Sequence, residues 1–289
     1  MREEDYPALY RAANDASNEA QASLLFSHKI NALLLVFAAI TALASTMTKL
    51  LAIFSAVLFL GSLLFYIYGQ YRSFQDRWYT ARALAESVKT ATWRLVMSAE
   101  PFAQSEEESN LKTFRNLLTE LLQENKTIGA ELAGEASSQE QVTQEMISVM
   151  RETFETKRAL YLKERIDDQR KWYAKKSGYN RNASKRYFAV LCAVYGVAIV
   201  LLLIRVAAPD TPFLPIEVLA VVASSIIAWK QIKRYDELAS AYGLTAHELG
   251  IVKSRYESVE NSEHLARFVS DAENAFSREH TQWAARRDH

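Results

Sequence analysis

The chain has 289 residues, enough for two modest units, and its 34 Lys and Arg balance its 34 Asp and Glu. No basic excess is present to attract nucleic acid. Hydrophobic residues make up 49% of the chain, yet mean hydropathy is −0.12, so the apolar residues must be gathered in blocks within a strongly polar remainder.

The chain opens on a polar, acid-containing stretch (Arg2, Glu3, Glu4, Asp5), and its first apolar run starts only at Ile30. A secretory leader has a short basic start followed at once by its apolar run, so no cleaved leader is expected. Four apolar segments follow: Ile30–Thr48, Leu50–Tyr71, Tyr187–Ile204 and Thr211–Trp229. The connectors within each pair, Lys49 alone and Arg205 to Asp210, are too short to hold a domain. A bilayer core of ~30 Å takes about 20 apolar residues of helix, so the pattern predicts two membrane hairpins. The fourth segment is the shortest in apolar content. Pro209, Pro212 and Pro215 crowd its start and Glu217 lies just inside. Proline is tolerated in the first turn of a helix. A lone arm stopping halfway would leave backbone unpaired in lipid, so a full crossing is expected.

Lys and Arg collect on the cytoplasmic flanks of membrane helices. Thirteen lie beside these segments on the side shared by both termini and the centre: Lys29, Arg72, Arg77, seven between Arg170 and Arg186, and Lys230, Lys233 and Arg234. The hairpin tips carry only Lys49 and Arg205. The asymmetry predicts a multi-pass inner-membrane protein with both termini and the central region in the cytoplasm.

Each hairpin should run on into cytoplasmic helix. Phe74, Trp78, Ala81, Ala85, Val88 and Leu95 follow the first, and Ile232, Tyr235, Ala239, Tyr242, Ala246, Leu249, Tyr256 and Val259 the second. Both series step mainly by three and four, the period of a helix with one apolar seam. In the centre, Pro101 should break the preceding helix. Leu111, Phe114, Leu117, Leu118, Leu121 and Leu122 mark an amphipathic helix, and Gly129 and Gly134 should bracket a break. Ser137-Ser138-Gln139-Glu140 has capping-box spacing and should open a long helix through Val142, Met146, Val149, Phe154, Tyr161 and Trp172. Leu265, Phe268, Val269, Ala272, Phe276 and Trp283 mark a last amphipathic run.

The expected fold is an all-α membrane protein: two antiparallel transmembrane hairpins, four membrane helices in all, with long cytoplasmic amphipathic helices. The halves share one plan, which reads as a duplication. The first unit is residues 1–150 (hairpin about 30–71, cytoplasmic helices about 72–150). The second is 151–289 (hairpin about 187–229).

Several residues stand out within this plan. Thr41, Ser45 and Thr48 lie at i, i+4 and i+7, so they are expected to share one face of the first membrane helix. Such a stripe lines a water-filled path in an oligomer, or else serves helix contact and bonds to its own carbonyls. Ala220, Ser224 and Ala228, like Ala38 and Ala42, form small-residue stripes that let helices approach closely, within a hairpin or between protomers. Glu217 is the one acid in the four segments, either a pore-mouth acid or a solvated first-turn acid favoured by the helix dipole. Lys171, Lys175, Lys176, Arg181, Lys185 and Arg186 form a basic collar expected to set topology and touch anionic headgroups. The lone Cys192 is expected to pack between helices. No pair among His28, His247, His264, His280 and His289 has ligand spacing, and no phosphate loop, nucleophile elbow or HExxH is present. No cofactor, no metal and no enzyme activity are expected. Asp167 and Asp168 read as solvated helix surface.

Tyr10–Lys29, and Trp78–Trp93 beyond the first hairpin, resemble one branch of the SLATT domains. These are two-transmembrane effector modules found beside nucleotide-synthesising and nucleotide-sensing proteins in bacterial conflict systems. Tyr161–Tyr173 and Phe268–Trp283 resemble another branch, and the resemblance covers nearly the whole chain. It implies a membrane pore-forming effector that oligomerises and permeabilises its own cell's inner membrane in antiviral defence. It carries over no catalytic residue. No nucleotide-making or nucleotide-sensing domain is present, so such a partner would be a separate protein. The lipid bilayer and a homo-oligomer are the other expected partners. The alternative is a membrane-anchored helical scaffold that binds a cytosolic partner without forming a pore.

Overall fold

The computed structural model describes residues 1–45, 48–103, 106–136, 139–211 and 213–285, with backbone alone for 133–136 and 277–285. Among the described residues there are helices and no strands. The elements are α1 (Ala8–Ala44), α2 (Lys49–Tyr71), α3 (Phe74–Val96), α4 (Glu107–Glu124), α5 (Lys126–Ala136), α6 (Gln144–Met150), α7 (Phe154–Tyr161), α8 (Asp168–Ala207), α9 (Ile216–Lys233), α10 (Tyr235–Ser254) and α11 (Ser262–Ala285). A π-helical turn, Leu162–Asp167, joins α7 to α8.

Three helical runs among the described residues are long and apolar enough to cross a membrane: Ala8–Ala44, Lys49–Val96 and Phe154–Ala207. The most apolar stretch of the third has no buried residue. Large apolar side chains such as Leu50, Ile53, Leu64, Phe188, Val197 and Leu203 are exposed on these runs. So large an apolar surface marks a lipid or partner interface. The fourth apolar segment is helical too, but α9 starts at Ile216 rather than near Thr211. The residue before a proline is driven out of the α region, so Leu214-Pro215 cannot continue a helix and Pro215 becomes the residue before the first turn. The expected first-turn proline, Pro212, lies outside the described residues. At a rise of ~1.5 Å per residue α9 spans about 27 Å.

The chain divides into two compact units, and neither coincides with a half of the sequence. Unit 1 comprises Met1–Gln21, Gln75–Ser177 and Ser240–His289; unit 2 comprises Ala22–Phe74 and Gly178–Ala239.

Unit 2 holds the apolar helices. Ser55 of α2 donates to the Ala38 carbonyl of α1 at 2.9 Å, and Ser62 donates to Asn31 Oδ1 at 2.6 Å. Partner positions fall along α1 as they rise along α2, so the two helices run antiparallel. The same holds for α8 and α9, where Arg205 pairs with Glu217 and Tyr187 stacks on Tyr235 at the start of α10. Both pairs end on the same device. A single non-glycine residue with positive φ, Ser73 (φ 46) after α2 and Arg234 (φ 47) after α9, stops one helix just before the next begins. Left-handed backbone costs an L-residue roughly 1–2 kcal/mol, so its recurrence at matching places supports a duplicated plan. It also breaks the apolar series expected to run unbroken from Ile232 into α10.

Unit 1 holds the aromatic core. Trp93, Phe102, Phe114, Tyr161 and Phe276 are all fully buried, and edge-to-face contacts join Trp93 to Tyr161 (5.6 Å) and Phe102 to Phe114 (5.9 Å). The expected seams of α3, α4, α10 and α11 face this core through Ala81, Ala85, Val88, Leu111, Phe114, Leu249, Leu265 and Val269. Trp283, the final position of the last amphipathic run, has its side chain outside the described residues.

Three expected boundaries move. Helix α3 stops at Val96, five residues before Pro101: Ser98 takes φ 55, and the amides of Ser98 and Ala99 bond back to Leu95 and Arg94 (3.0 and 2.8 Å). That is a Schellman cap with serine where glycine is usual. Gly129 lies inside α5, as does Gly134, and the break falls at Asn125 instead. A Cβ at Gly129 would sit 3.2 Å from Leu122 Cδ2, so glycine here permits close approach rather than a turn. The long helix expected from the capping box is two helices: Thr143 caps α6 and Thr153 caps α7, each hydroxyl accepting an amide three residues on. Ser137 and Ser138 lie outside the described residues.

Candidate functional site

The sequence-predicted residues of unit 2 fall into separate places. Helix α1 ends at Ala44, so Thr41, Ser45 and Thr48 do not share a helical face. Thr41 donates within its own helix to the Phe37 and Ala38 carbonyls (2.9 and 3.0 Å). Ser45, in the turn, donates to Ala42 (2.6 Å), and Thr48 is the N-cap of α2, accepting from the Leu51 amide at 3.4 Å. A chain that reverses in so few residues needs its end carbonyls and first amides satisfied locally, and these hydroxyls do that. Ala38 is fully buried against α2, so on α1 the small residue serves packing between the two helices.

On α9 the outcome differs. Ala220, Ser224 and Ala228 are not buried, and all three line one side of a cavity of about 430 Å³. Asn31 and Leu35 of α1 and Phe59 of α2 line it opposite, with Trp229 at one end. The ammonium groups of Lys29 and Lys233 stand 5.5 and 5.6 Å from the centre of the Trp229 ring. Glu217 lies in the first turn of α9, exposed, 3.3 Å from Arg205. Cys192 is exposed on α8 rather than packed between helices, because the apolar stretch of α8 faces outward nearly all round.

Along α8, Lys171, Lys175, Lys176, Arg181, Lys185 and Arg186 all stay outside the buried set. The same helix buries Tyr173, Ser177, Asn180 and Ser184 on its other face. Asp168 points outward, but Asp167 is half-buried and accepts from Lys253 at 2.7 and 2.9 Å, so it is not the solvated acid expected. Among the described residues no cluster of His, Cys, Asp and Glu could hold a metal ion.

Sequence reasoning missed a polar centre inside unit 1. Glu273 of α11 is fully buried and accepts four hydrogen bonds. Oε1 takes Arg165 Nε (2.8 Å) and the Tyr161 hydroxyl (2.9 Å); Oε2 takes Arg165 Nη2 (2.7 Å) and the Thr90 hydroxyl (3.0 Å). Arg165, set in the π-helical turn, lays its guanidinium 4.1 Å from the Phe276 ring centre. Burial alone would pull the Arg165 guanidinium down, but the carboxylate of Glu273 overrides it and holds it above its ordinary value. The Tyr161 hydroxyl is held well above its ordinary value, first by burial and then by Glu273. A carboxylate with every lone pair used is a structural hub, not a free base. One signal for it was legible: Glu273 follows Val269 by four and precedes Phe276 by three, which puts an acid on the apolar face of its own helix.

Two family models match, each over about half of the chain. The SMODS and SLOG-associating 2TM effector domain 3 matches residues 7–158, and the SMODS and SLOG-associating 2TM effector domain 1 matches residues 161–283. No curated protein and no solved structure matches the chain. The first match takes in α1 to α3 and the second α8 to α11, so each carries one antiparallel apolar pair and its following helices. With one domain of each kind in sequence, the chain belongs to the SLATT family as a tandem SLATT protein.

Proposed function

We propose that this protein is a membrane effector that oligomerises and permeabilises the inner membrane when triggered. The observation that carries the reading is the outward-facing apolar surface of α2 and α8, on helical runs long enough to cross a bilayer, in a chain built of two 2TM effector domains. Packing within the chain leaves that apolar surface exposed, and so large a surface is covered by lipid or by another helix.

In this reading α1, α2, α8 and α9 form two transmembrane hairpins. The positive-inside asymmetry of their flanks argues for both termini and unit 1 in the cytoplasm. Four helices enclose little space, so a conducting path needs several chains in a closed ring. Glu217 and Arg205 would stand near its outer mouth, where rings of charge bias ion passage. The trigger would act on the cytoplasmic helices through a separate nucleotide-making or nucleotide-sensing protein. No residue is assigned a catalytic role.

One observation favours a second reading, a membrane-anchored scaffold. The hydroxyls of Thr41 and Ser45 bond to their own helix carbonyls and leave no polar stripe to line water. Expression in a bacterium with a voltage-sensitive dye separates the two. An effector depolarises the cell once it reaches the membrane, whereas a scaffold reaches the membrane and leaves the potential unchanged. No depolarisation at any expression level would leave the scaffold standing.

A further inference from the structure

The geometry points to a binding site for one anionic glycerophospholipid in the groove between α1 and α9. The cavity of about 430 Å³ lies in the usual range for ligand sites, ~300–1,000 Å³. Its walls are mainly apolar: Leu35, Phe59, Ala220 and Ala228, with the small side chain of Ser224 between. Its Trp229 end is flanked by Lys29 and Lys233. Each ammonium lies within 5.6 Å of the indole centre, which keeps the two within about 11 Å of each other. A phosphate placed at this end of the groove is attracted by both ammonium groups. Trp is enriched where the bilayer meets water, and Lys beside a membrane helix attracts anionic headgroups.

These features divide the recognition in two. An acyl chain gains little by leaving bulk lipid for an apolar groove, because both are equally greasy. Selectivity must therefore come from the headgroup end: Lys29 and Lys233 hold the phosphate and Trp229 fixes its depth. The open face of Ala220, Ser224 and Ala228 supplies room for one chain. A helix from a second copy would fit the small-residue face but would bring no negative charge to the two lysines. The inference rests on the membrane placement of α1 and α9 proposed above, and not on pore formation.

The test uses the full chain in detergent, with lipid retention read by native mass spectrometry. Phosphatidylglycerol should be retained at least tenfold more tightly than phosphatidylcholine of the same chains. Lys29→Gln with Lys233→Gln should bring the two lipids within about twofold, and Lys29→Arg with Lys233→Arg should restore the preference. Ser224→Phe, which fills the groove, should cut phosphatidylglycerol retention about tenfold. Equal retention of the two lipids by the unaltered protein overturns the proposal. So does a preference that survives the glutamine pair but falls on neutralising Lys171, Lys175 and Lys176. Should the variants fail to fold, a phosphatidylglycerol bearing a diazirine on its acyl chain decides on the unaltered protein. Label on α9 between Ala220 and Ala228 supports the site; label confined elsewhere overturns it. A Ser224→Cys disulfide between copies, made in a Cys192→Ser background in vesicles, would put a second copy in the groove and also overturn it. Flotation with vesicles checks membrane placement separately, so failure of that reading is told apart from failure of the lipid site.

Discussion

Arg165 and Glu273 lie 108 positions apart in the chain and meet as a two-pronged ion pair whose side chains are 1% and 0% exposed. They tie the π-helical turn after α7 to α11, and Thr90 brings in α3. Thr90 belongs to the first SLATT domain and the other two residues to the second, so the polar centre joins the two domains within unit 1.

Removing one partner strands the other. Arg165→Met should cost about 3–5 kcal/mol, because an unpaired carboxylate remains among apolar groups. Arg165→Met combined with Glu273→Leu should recover most of that loss, since a well-packed apolar pair replaces the ions without desolvating charge. Denaturant unfolding in micelles, run as a double-mutant cycle, measures the coupling. A loss in the double variant equal to the two single losses added together would refute the pairing.

Thr90→Val keeps the shape of the side chain but removes one of the four donors to Glu273. The expected cost is about 1.5–3 kcal/mol, the usual size for a hydrogen bond to a charged group. Thr90→Ser, which keeps the hydroxyl, should lose less. A thermal melt of the three proteins side by side ranks them, and a Val variant as stable as the parent would remove Thr90 from the network.

Stability should fall above pH 10. The buried Tyr10 hydroxyl is pushed up from 10.0 to about 12, first by burial and then by Glu86. Its folded value is raised, so its contribution is fully present below pH 10 and is lost as pH rises from there to about 12. Tyr10→Phe should leave stability at pH 7 within about 1 kcal/mol and make the alkaline decline shallower. Helical circular dichroism followed from about pH 9 to 12 reads both. A decline of unchanged slope in the Phe variant would show that Tyr10 takes no part in it.

The left-handed serine at the end of α3 offers a stabilising change. Ser98→Gly should raise stability by about 0.5–1 kcal/mol, because glycine adopts φ 55 without a Cβ clash. Ser98→Val should lower it by more than that. If both substitutions move the unfolding midpoint the same way, the cap is not under the strain its φ implies.

Topology can be read directly, since Cys192 is the sole cysteine. In a Cys192→Ser background, Lys49→Cys and Asp210→Cys should react with an impermeant maleimide added to intact spheroplasts. Glu260→Cys, on the exposed turn before α11, should react only after lysis. Labelling of Glu260→Cys in intact cells would invert the proposed orientation.

The apolar helices were legible in the sequence because lipid imposes a length and a composition that no short-range detail can hide. The seams of α4 and α11 came out of periodicity for a related reason: burial repeats with the helix. Gly129, Thr143 and Thr153 show where this stops. A glycine inside a helix and a hydroxyl at a cap are decided by which neighbour comes close, and periodicity does not encode neighbours. Thr41, Ser45 and Thr48 had the right spacing for one face, but the helix ended four residues early and dispersed them.

By itself, then, the chain determined that it is helical, that its apolar residues are grouped for a bilayer, and that two related domains follow one another. Only the tertiary structure decided that those domains mix to build two compact units, that Glu273 and Arg165 find each other, and that the small face of α9 borders a groove. Local sequence sets which residues a helix buries, while contacts between residues a hundred positions apart depend on how whole helices are brought together.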